Sequence, residues 1–342
     1  MAIKAKRIRE WMTIPGQFNP GLQNCITDVP GVSCAHETVK HGDACTGLTL
    51  ISLCDGDVYL NPVPAAVAVG NGFGKLTGAL QINELGTIES LVGLTNTLSV
   101  AAVLQGLVDY HTPKLPAGHN SINIVVGETN DGQLNNIRAC HVKPWHVKSA
   151  VEKLSSCVEE GSVGAGTGTV CYGYKGGIGT ASRIIPAELS GEAECYVIGA
   201  LVQSNYGGEL NIYGHPIPKP HTNHVSEDGS CMIVIATNAP LSSRQLNRLA
   251  KRGLIGMTNT GSVMTNGSGD FCIAASNYPQ NRHHRENKGK TYYYLSDNQL
   301  NPFFRACVEA VQESLYNSLT MAGDGVKNIP GLDMGVLSSS LS

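Results

Sequence analysis

Along this chain the spacing of apolar positions switches repeatedly between a strand-like and a helix-like period, and the switches divide it into short elements. Uncharged runs rich in small or β-branched residues read as buried strands at 62–69, 122–126, 196–205 and 232–237, with another after Asp270. Residues 24–51 read as short alternating strands opening a hairpin, with a turn at Val29-Pro30-Gly31. Helical spacing of Leu98, Ala101, Ala102, Gln105 and Leu107 predicts a buried helix entered through Thr95-Asn96-Thr97 as its cap. A surface helix is expected over 141–158, with Trp145 and residues 147–154 as its apolar face. Ser242 and Gln245 form a capping box ahead of a helix that buries Leu246, Leu249, Ala250 and Leu254. A last helix begins at Asn301-Pro302 and carries Phe304, Cys307, Val308, Val311, Leu315 and Leu319 as its stripe. Strands alternating with helices in this way imply a layered α/β fold.

Composition narrows the function classes. The chain has 342 residues, and its 42% hydrophobic content is ample for a large core. With 24 basic against 27 acidic residues, the near-neutral balance gives no reason to expect a nucleic-acid partner or a membrane surface. The start is basic but is followed by no apolar segment of a secretory signal, so a cytoplasmic location is expected. Eleven cysteines are scattered without a Cys-x-x-Cys pair, and are expected to be reduced, buried small hydrophobes rather than disulfides or zinc ligands. Forty glycines mark many turns, yet neither glycine-rich stretch is a phosphate loop: Gly70, Gly72 and Gly74 precede Lys75 at the wrong spacing, and 164–168 opens no helix. His215, His221 and His224 lie in a polar, proline-rich stretch at 207–229 read as a mobile surface loop, and they lack the spacing of a metal pair. No metal or organic cofactor is called for.

Two places carry candidate chemistry on residue type alone. Gly229-Ser230 stands directly before the buried run 231–237, where a small hydroxyl would sit at the mouth of a strand. Such a pair is either an ordinary turn or a nucleophile, and cutting the Gly229–Ser230 bond would make Ser230 an N-terminal residue with its own α-amine as base. Glu128 follows Val125-Val126-Gly127 at a strand end, and fits either a solvated turn acid or a carboxylate that receives an ammonium group.

Seven blocks, in order, resemble the family that includes the L-aminopeptidase/D-esterase and the β-peptidyl aminopeptidases. They are Thr27-Asp-Val-Pro-Gly-Val, Asn71-Gly-Phe-Gly-Lys, Leu94-Thr-Asn-Thr, Gly164-Ala-Gly-Thr-Gly with Lys175-Gly-Gly-Ile-Gly-Thr, Val202-Gln-Ser-Asn, Gly229-Ser230, and Thr260-Gly-Ser through Asn266-Gly-Ser-Gly-Asp. The resemblance implies one four-layer αββα domain over 1–342, similar to N-terminal-nucleophile hydrolases but with its own connectivity. It implies self-cleavage into residues 1–229 and 230–342, and assembly of several such units, often four.

By the same resemblance Ser230 is the nucleophile, and Asn205 lends its side-chain amide to the oxyanion hole. Ser268 and Asp270 are the supporting hydroxyl and acid, and Glu128 reads the free amine of a small peptide, aminoacyl amide or ester. The family's aromatic residue close behind that acid has no counterpart in Thr129, Asn130 and Asp131, which bears on the fit of the substrate's amino-terminal side chain. Two other readings are an acyltransferase on a related fold, which uses Thr where Ser230 stands, and a catalytically silent scaffold.

Overall fold

The computed structural model describes residues 5–191, 193–218, 228–285 and 289–322. The strands are β1 (Ser33–His41), β2 (Ala44–Ser52), β3 (Val63–Gly72), β4 (Thr87–Ile88), β5 (Val92–Asn96), β6 (Val125–Thr129), β7 (Val170–Cys171) and β8 (Tyr174–Lys175). They continue with β9 (Ile178–Ile185), β10 (Tyr196–Asn205), β11 (Asn211–Ile212), β12 (His215–Pro216), β13 (Ser230–Thr237) and β14 (Gly269–Ser276). The helices are α1 (Ala79–Leu85), α2 (Val100–His111), α3 (Trp145–Val151), α4 (Ala187–Ser190), α5 (Ser243–Thr258) and α6 (Asn301–Thr320).

Two sheets dominate, a four-stranded one in the order β1-β2-β5-β6 and a six-stranded one in the order β4-β3-β14-β13-β10-β9. Alternation along each strand divides the core in three. In β13, Met232, Val234 and Ala236 join Ile51, Val92, Leu94 and Val125 between the sheets. Cys231, Ile233 and Ile235 face the other way, under Leu246, Leu249, Phe303 and Val311 of α5 and α6. Beyond the second sheet, Leu48, Leu50 and Val126 pack against Val103 and Leu107 of α2 and Val147 and Ala150 of α3. The layers therefore run helices, sheet, sheet, helices, which is the αββα sandwich expected.

β13 and β14 form a parallel pair in the middle of the six-stranded sheet, with β10 antiparallel on one side and β3 antiparallel on the other. A parallel neighbour needs a crossover, and here it is α5, whose capping box at Ser242 and Gln245 forms as expected. Residues after 229 thus supply two central strands, whereas residues before 229 supply their neighbours on both sides.

Several expectations need correction. The first hairpin turns at residues 42–43, between β1 and β2, and Val29-Pro30-Gly31 instead follows a short 3₁₀ turn at Ile26–Asp28. In α2 Leu107 is buried as expected, but together with Val103, Gly106 and His111 rather than with Leu98, Ala101, Ala102 and Gln105, because those are the positions turned toward β5 and β6. The 141–158 helix shrinks to α3, and Trp145 is exposed, while Val147 and Ala150 enter the core and Val151 and Leu154 pack at its edge. In α6 Phe303 rather than Phe304 enters the core. The 207–229 stretch holds the β11–β12 hairpin, with His215 in it, while His221 and His224 lie outside the described residues. The eleven cysteines are free, and Cys157 and Cys195 are exposed rather than buried.

Candidate active site

A cavity of about 770 Å³ opens where β6, β10 and β13 end together. Ser230, Asn205, Glu128 and Gly229 all line it, although more than 100 residues of sequence separate Glu128 from Ser230. The register does this. Asn205, the last residue of β10, pairs with Ser230, the first residue of β13, and Ser230 in turn pairs with Gly269, the first residue of β14.

The Ser230 hydroxyl, 4% exposed, donates to the carbonyl oxygen of Gly229 at 2.7 Å. The Gly269 N–H donates to that same carbonyl oxygen at 3.1 Å and lies 3.3 Å from Ser230 Oγ. Gly229 has no room for a side chain: a Cβ there would meet the Asn205 carbonyl oxygen at 2.2 Å and Tyr206 Cα at 2.5 Å. Close backbone approach, rather than an unusual φ, is what requires glycine at this position.

Asn205 is held by both ends of its amide. Its Oδ1 accepts from the Val170 N–H at 3.0 Å, and its Nδ2 donates to the Asn130 carbonyl at 2.9 Å, using one of two amide hydrogens. The glycine-rich stretch after 164 thus walls the cavity, with Val170 and Gly173 in its lining. Lys175, fully buried, donates to the carbonyls of Gly166 and Gly176 and fixes that stretch, and burial pushes its ammonium down to about 7.

Ser268 and Asp270 stand behind the strand ends. The Ser268 hydroxyl donates to Asp270 Oδ1 at 2.9 Å, and Asp270 Oδ2 is buried with no hydrogen-bond partner among the described residues. Burial pushes the Asp270 carboxyl up to about 6 against the opposing bond from Ser268. Asp270 pairs with Cys231 rather than Ser230, and Cys231 belongs to the core under α5, so this carboxyl lies on the far face of the sheet from the Ser230 hydroxyl.

Glu128 is 2% exposed, which removes the reading of a solvated turn acid. Its Oε1 accepts from the Lys75 N–H at 2.9 Å and its Oε2 from the Thr97 hydroxyl, and the Lys75 ammonium lies 3.8 Å from Oε1. Thr97 is therefore a site residue, while Asn96 alone makes the cap by accepting from the Ser99 N–H.

Sequence reasoning missed Lys75, Thr97, Asn130 and Asp228, all of which line the cavity. The signal was present for Lys75 in Asn71-Gly-Phe-Gly-Lys. Gly74 passes so close to Glu128 that a Cβ would lie 3.3 Å from Oε1 and 3.0 Å from Phe271, and Asn71 ties the 266–268 turn to β3 by donating to the carbonyls of Asn266 and Ser268.

The match to known proteins covers the whole of this arrangement. β-Peptidyl aminopeptidase BapA of Sphingosinicella microcystinivorans is 34% identical, across 93% of this chain and 86% of its own length. The L-aminopeptidase D-Ala-esterase/amidase of Ochrobactrum anthropi, a variant of the Ntn-hydrolase fold, superposes with a TM-score of 0.89 at 31% identity over 98% of both chains. The PH0078 protein of Pyrococcus horikoshii OT3 superposes at 0.90 with 39% identity, again over 98% of both. Peptidase family S58 matches residues 24–328. With a family model matched across residues 24–328 and relatives aligned along nearly the whole chain, the chain belongs to peptidase family S58 and is a hydrolase of the serine aminopeptidase kind.

Proposed function

We propose that this serine aminopeptidase cuts its own Gly229–Ser230 bond and then uses Ser230 to remove the N-terminal residue of small peptides, aminoacyl amides or esters. The observation that carries the reading is the pair of contacts on one oxygen: Ser230 Oγ at 2.7 Å and the Gly269 N–H at 3.1 Å, both on the Gly229 carbonyl. The proposed nucleophile and an oxyanion donor both already touch the carbonyl of the bond to be broken.

In the cut, a bond forms from Ser230 Oγ to the Gly229 carbonyl carbon and the carbon–nitrogen bond breaks. The hydroxyl proton ends on the departing Ser230 nitrogen. Water then adds to the resulting ester, returns a proton to Oγ and leaves Gly229 as a carboxylate. The freed α-amine, with an ordinary pKa of about 7.7 to 8.0, is partly neutral at neutral pH and can take the Ser230 proton in later turnovers.

In substrate turnover the Gly269 N–H and the Asn205 amide are the proposed oxyanion donors, and water releases the acyl group from Ser230. Ser268 and Asp270 support the new amine from the neighbouring strand. Glu128 takes the substrate's ammonium, with the Lys75 N–H and the Thr97 hydroxyl fixing both of its oxygens. The two pieces, 1–229 and 230–342, stay together because β13 and β14 remain hydrogen-bonded between β3 and β10. Association of several such units, four by the family resemblance, is part of the same proposal; bare apolar residues such as Leu80 and Val263 support it.

Intact mass of denatured, freshly purified protein tests this. Two species divided at Ser230, together with release of N-terminal residues from aminoacyl amides, are expected. A single stable 36.1 kDa chain that nonetheless hydrolyses those substrates would overturn the self-cleavage and its base.

A further inference from the structure

One short turn holds the chain just upstream of the bond that the proposed self-cleavage breaks. Residues 265–269 lead into β14, and besides the Gly269 N–H on the Gly229 carbonyl they carry two donors for Asp228. The Gly267 N–H lies 3.1 Å and the Thr265 hydroxyl 3.4 Å from Asp228 Oδ1. The carboxylate is seated so closely that a Cβ on Gly267 would meet Asp228 Cγ at 2.3 Å and Oδ1 at 2.4 Å. The turn is itself fixed. Asn71 donates to the Asn266 carbonyl at 3.1 Å, the Ser268 N–H to the Thr265 carbonyl at 2.9 Å, and Met264 enters the turn in the left-handed region at φ 51°.

We propose that Asp228 is a positioning residue for self-cleavage, clamping the residue before Gly229 onto the 265–267 turn so that the Gly229 carbonyl stays between Ser230 Oγ and the Gly269 N–H. This rests on the self-cleavage reading above. The need for a clamp follows from geometry. Ser230 and the rest of β13 are fixed by strand pairing, whereas Gly229 precedes β13 and has no strand pairing of its own. A second anchor one residue upstream confines the scissile peptide from both sides, and a misplacement of about 1 Å costs on the order of a hundredfold in such a reaction.

The test follows the cut in full-length chains made by cell-free translation, sampled over time by mass. Asp228→Ala is expected to slow the appearance of the Ser230 chain by about tenfold or more. Asp228→Asn, which keeps an acceptor oxygen in the same place, is expected to stay within about threefold of the parent. Gly267→Ala is expected to slow the cut because its Cβ displaces the carboxylate, and the double variant Asp228→Ala/Gly267→Ala to be no slower than Asp228→Ala alone. A general loss of structure would instead make the two changes add, and that result overturns the clamp. Equal rates for Asp228→Ala and the parent overturn it as well. If the parent chain itself is never cut, the self-cleavage reading fails and takes the clamp with it; a parent that cuts normally while the Asp228 variants do not differ leaves self-cleavage standing and removes the clamp alone.

Discussion

Ser230 and Asn205 face each other as the first residue of β13 and the last residue of β10, paired across an antiparallel ladder. Their relation is set by eight successive residue pairs from 198↔237 to 205↔230, so neither side chain can drift from the other without the sheet slipping. A slip of one residue would turn every side chain of β13 to the opposite face and exchange Met232 and Val234 for Cys231 and Ile233 between the sheets. The packing of the core therefore holds the proposed nucleophile against its amide partner.

From this pairing comes a split between the two reactions assigned to Ser230. The Gly269 N–H already touches the Gly229 carbonyl, whereas the Asn205 amide is engaged with Val170 and Asn130. Asn205→Ala is expected to lower kcat on an aminoacyl amide by about 10² to 10³-fold, as for loss of one oxyanion donor, yet to leave the self-cut complete within hours. Kinetics on the purified variant and its intact mass check both parts. A variant that stays uncut would show that Asn205 serves the first reaction too.

Gly229→Ala probes the scissile residue itself. An added methyl would lie 2.2 Å from the Asn205 carbonyl oxygen, against backbone that strand pairing holds in place. The expected outcome is a chain that folds but cuts at least about tenfold more slowly, because the strain is relieved by moving the scissile carbonyl away from Ser230. Mass spectrometry gives the cut and circular dichroism the fold. Unchanged cutting would mean that the carbonyl has no fixed position to lose.

Glu128→Gln keeps the shape of the side chain and removes its charge. Loss of one charge-assisted bond to a substrate ammonium, about 1.5 to 3 kcal/mol, predicts a rise in KM of about 10 to 100-fold with kcat changed much less. Initial rates against substrate concentration decide it. A fall in kcat at constant KM would place Glu128 in the chemistry rather than in binding.

How legible this was in the sequence depended on the range of the interaction. The β13 run was readable because a central strand buried on both faces must be apolar throughout, and the α5 start because Ser242 and Gln245 cap locally. The face of α2 is only partly legible: Leu107 is buried as its spacing implies, but Val103 rather than Ala101 and Gln105 joins it against β5 and β6, and nothing within the helix says where those strands lie. Thr97 reads in the sequence as part of a cap, and only the fold brings it to Glu128, 31 residues away. Asp228 carries no local signal, since the donors it meets on Thr265 and Gly267 lie 37 and 39 residues away. Ser230, Asn205 and Glu128, which the family resemblance names and local patterning cannot join, meet at one cavity only through the fold.

Asp270 gives a dependence of stability on pH whose sign is fixed by burial. Its carboxyl stands at about 6 in the folded chain against an ordinary 3.8, so between these values the folded state holds the proton more tightly than the unfolded state does. Its contribution is therefore fully present below about pH 4 and is lost as pH rises through about 6, on the order of 3 kcal/mol in all. Other buried acids share the direction, Glu160 among them at about 7, so the comparison must be with a variant rather than with pH alone. In uncut Ser230→Ala protein, urea unfolding at pH 4 and pH 7 is expected to show a loss that Asp270→Asn reduces by about that amount, because the amide cannot ionise. An identical loss in both proteins would mean that the Asp270 carboxyl is not strained by its burial.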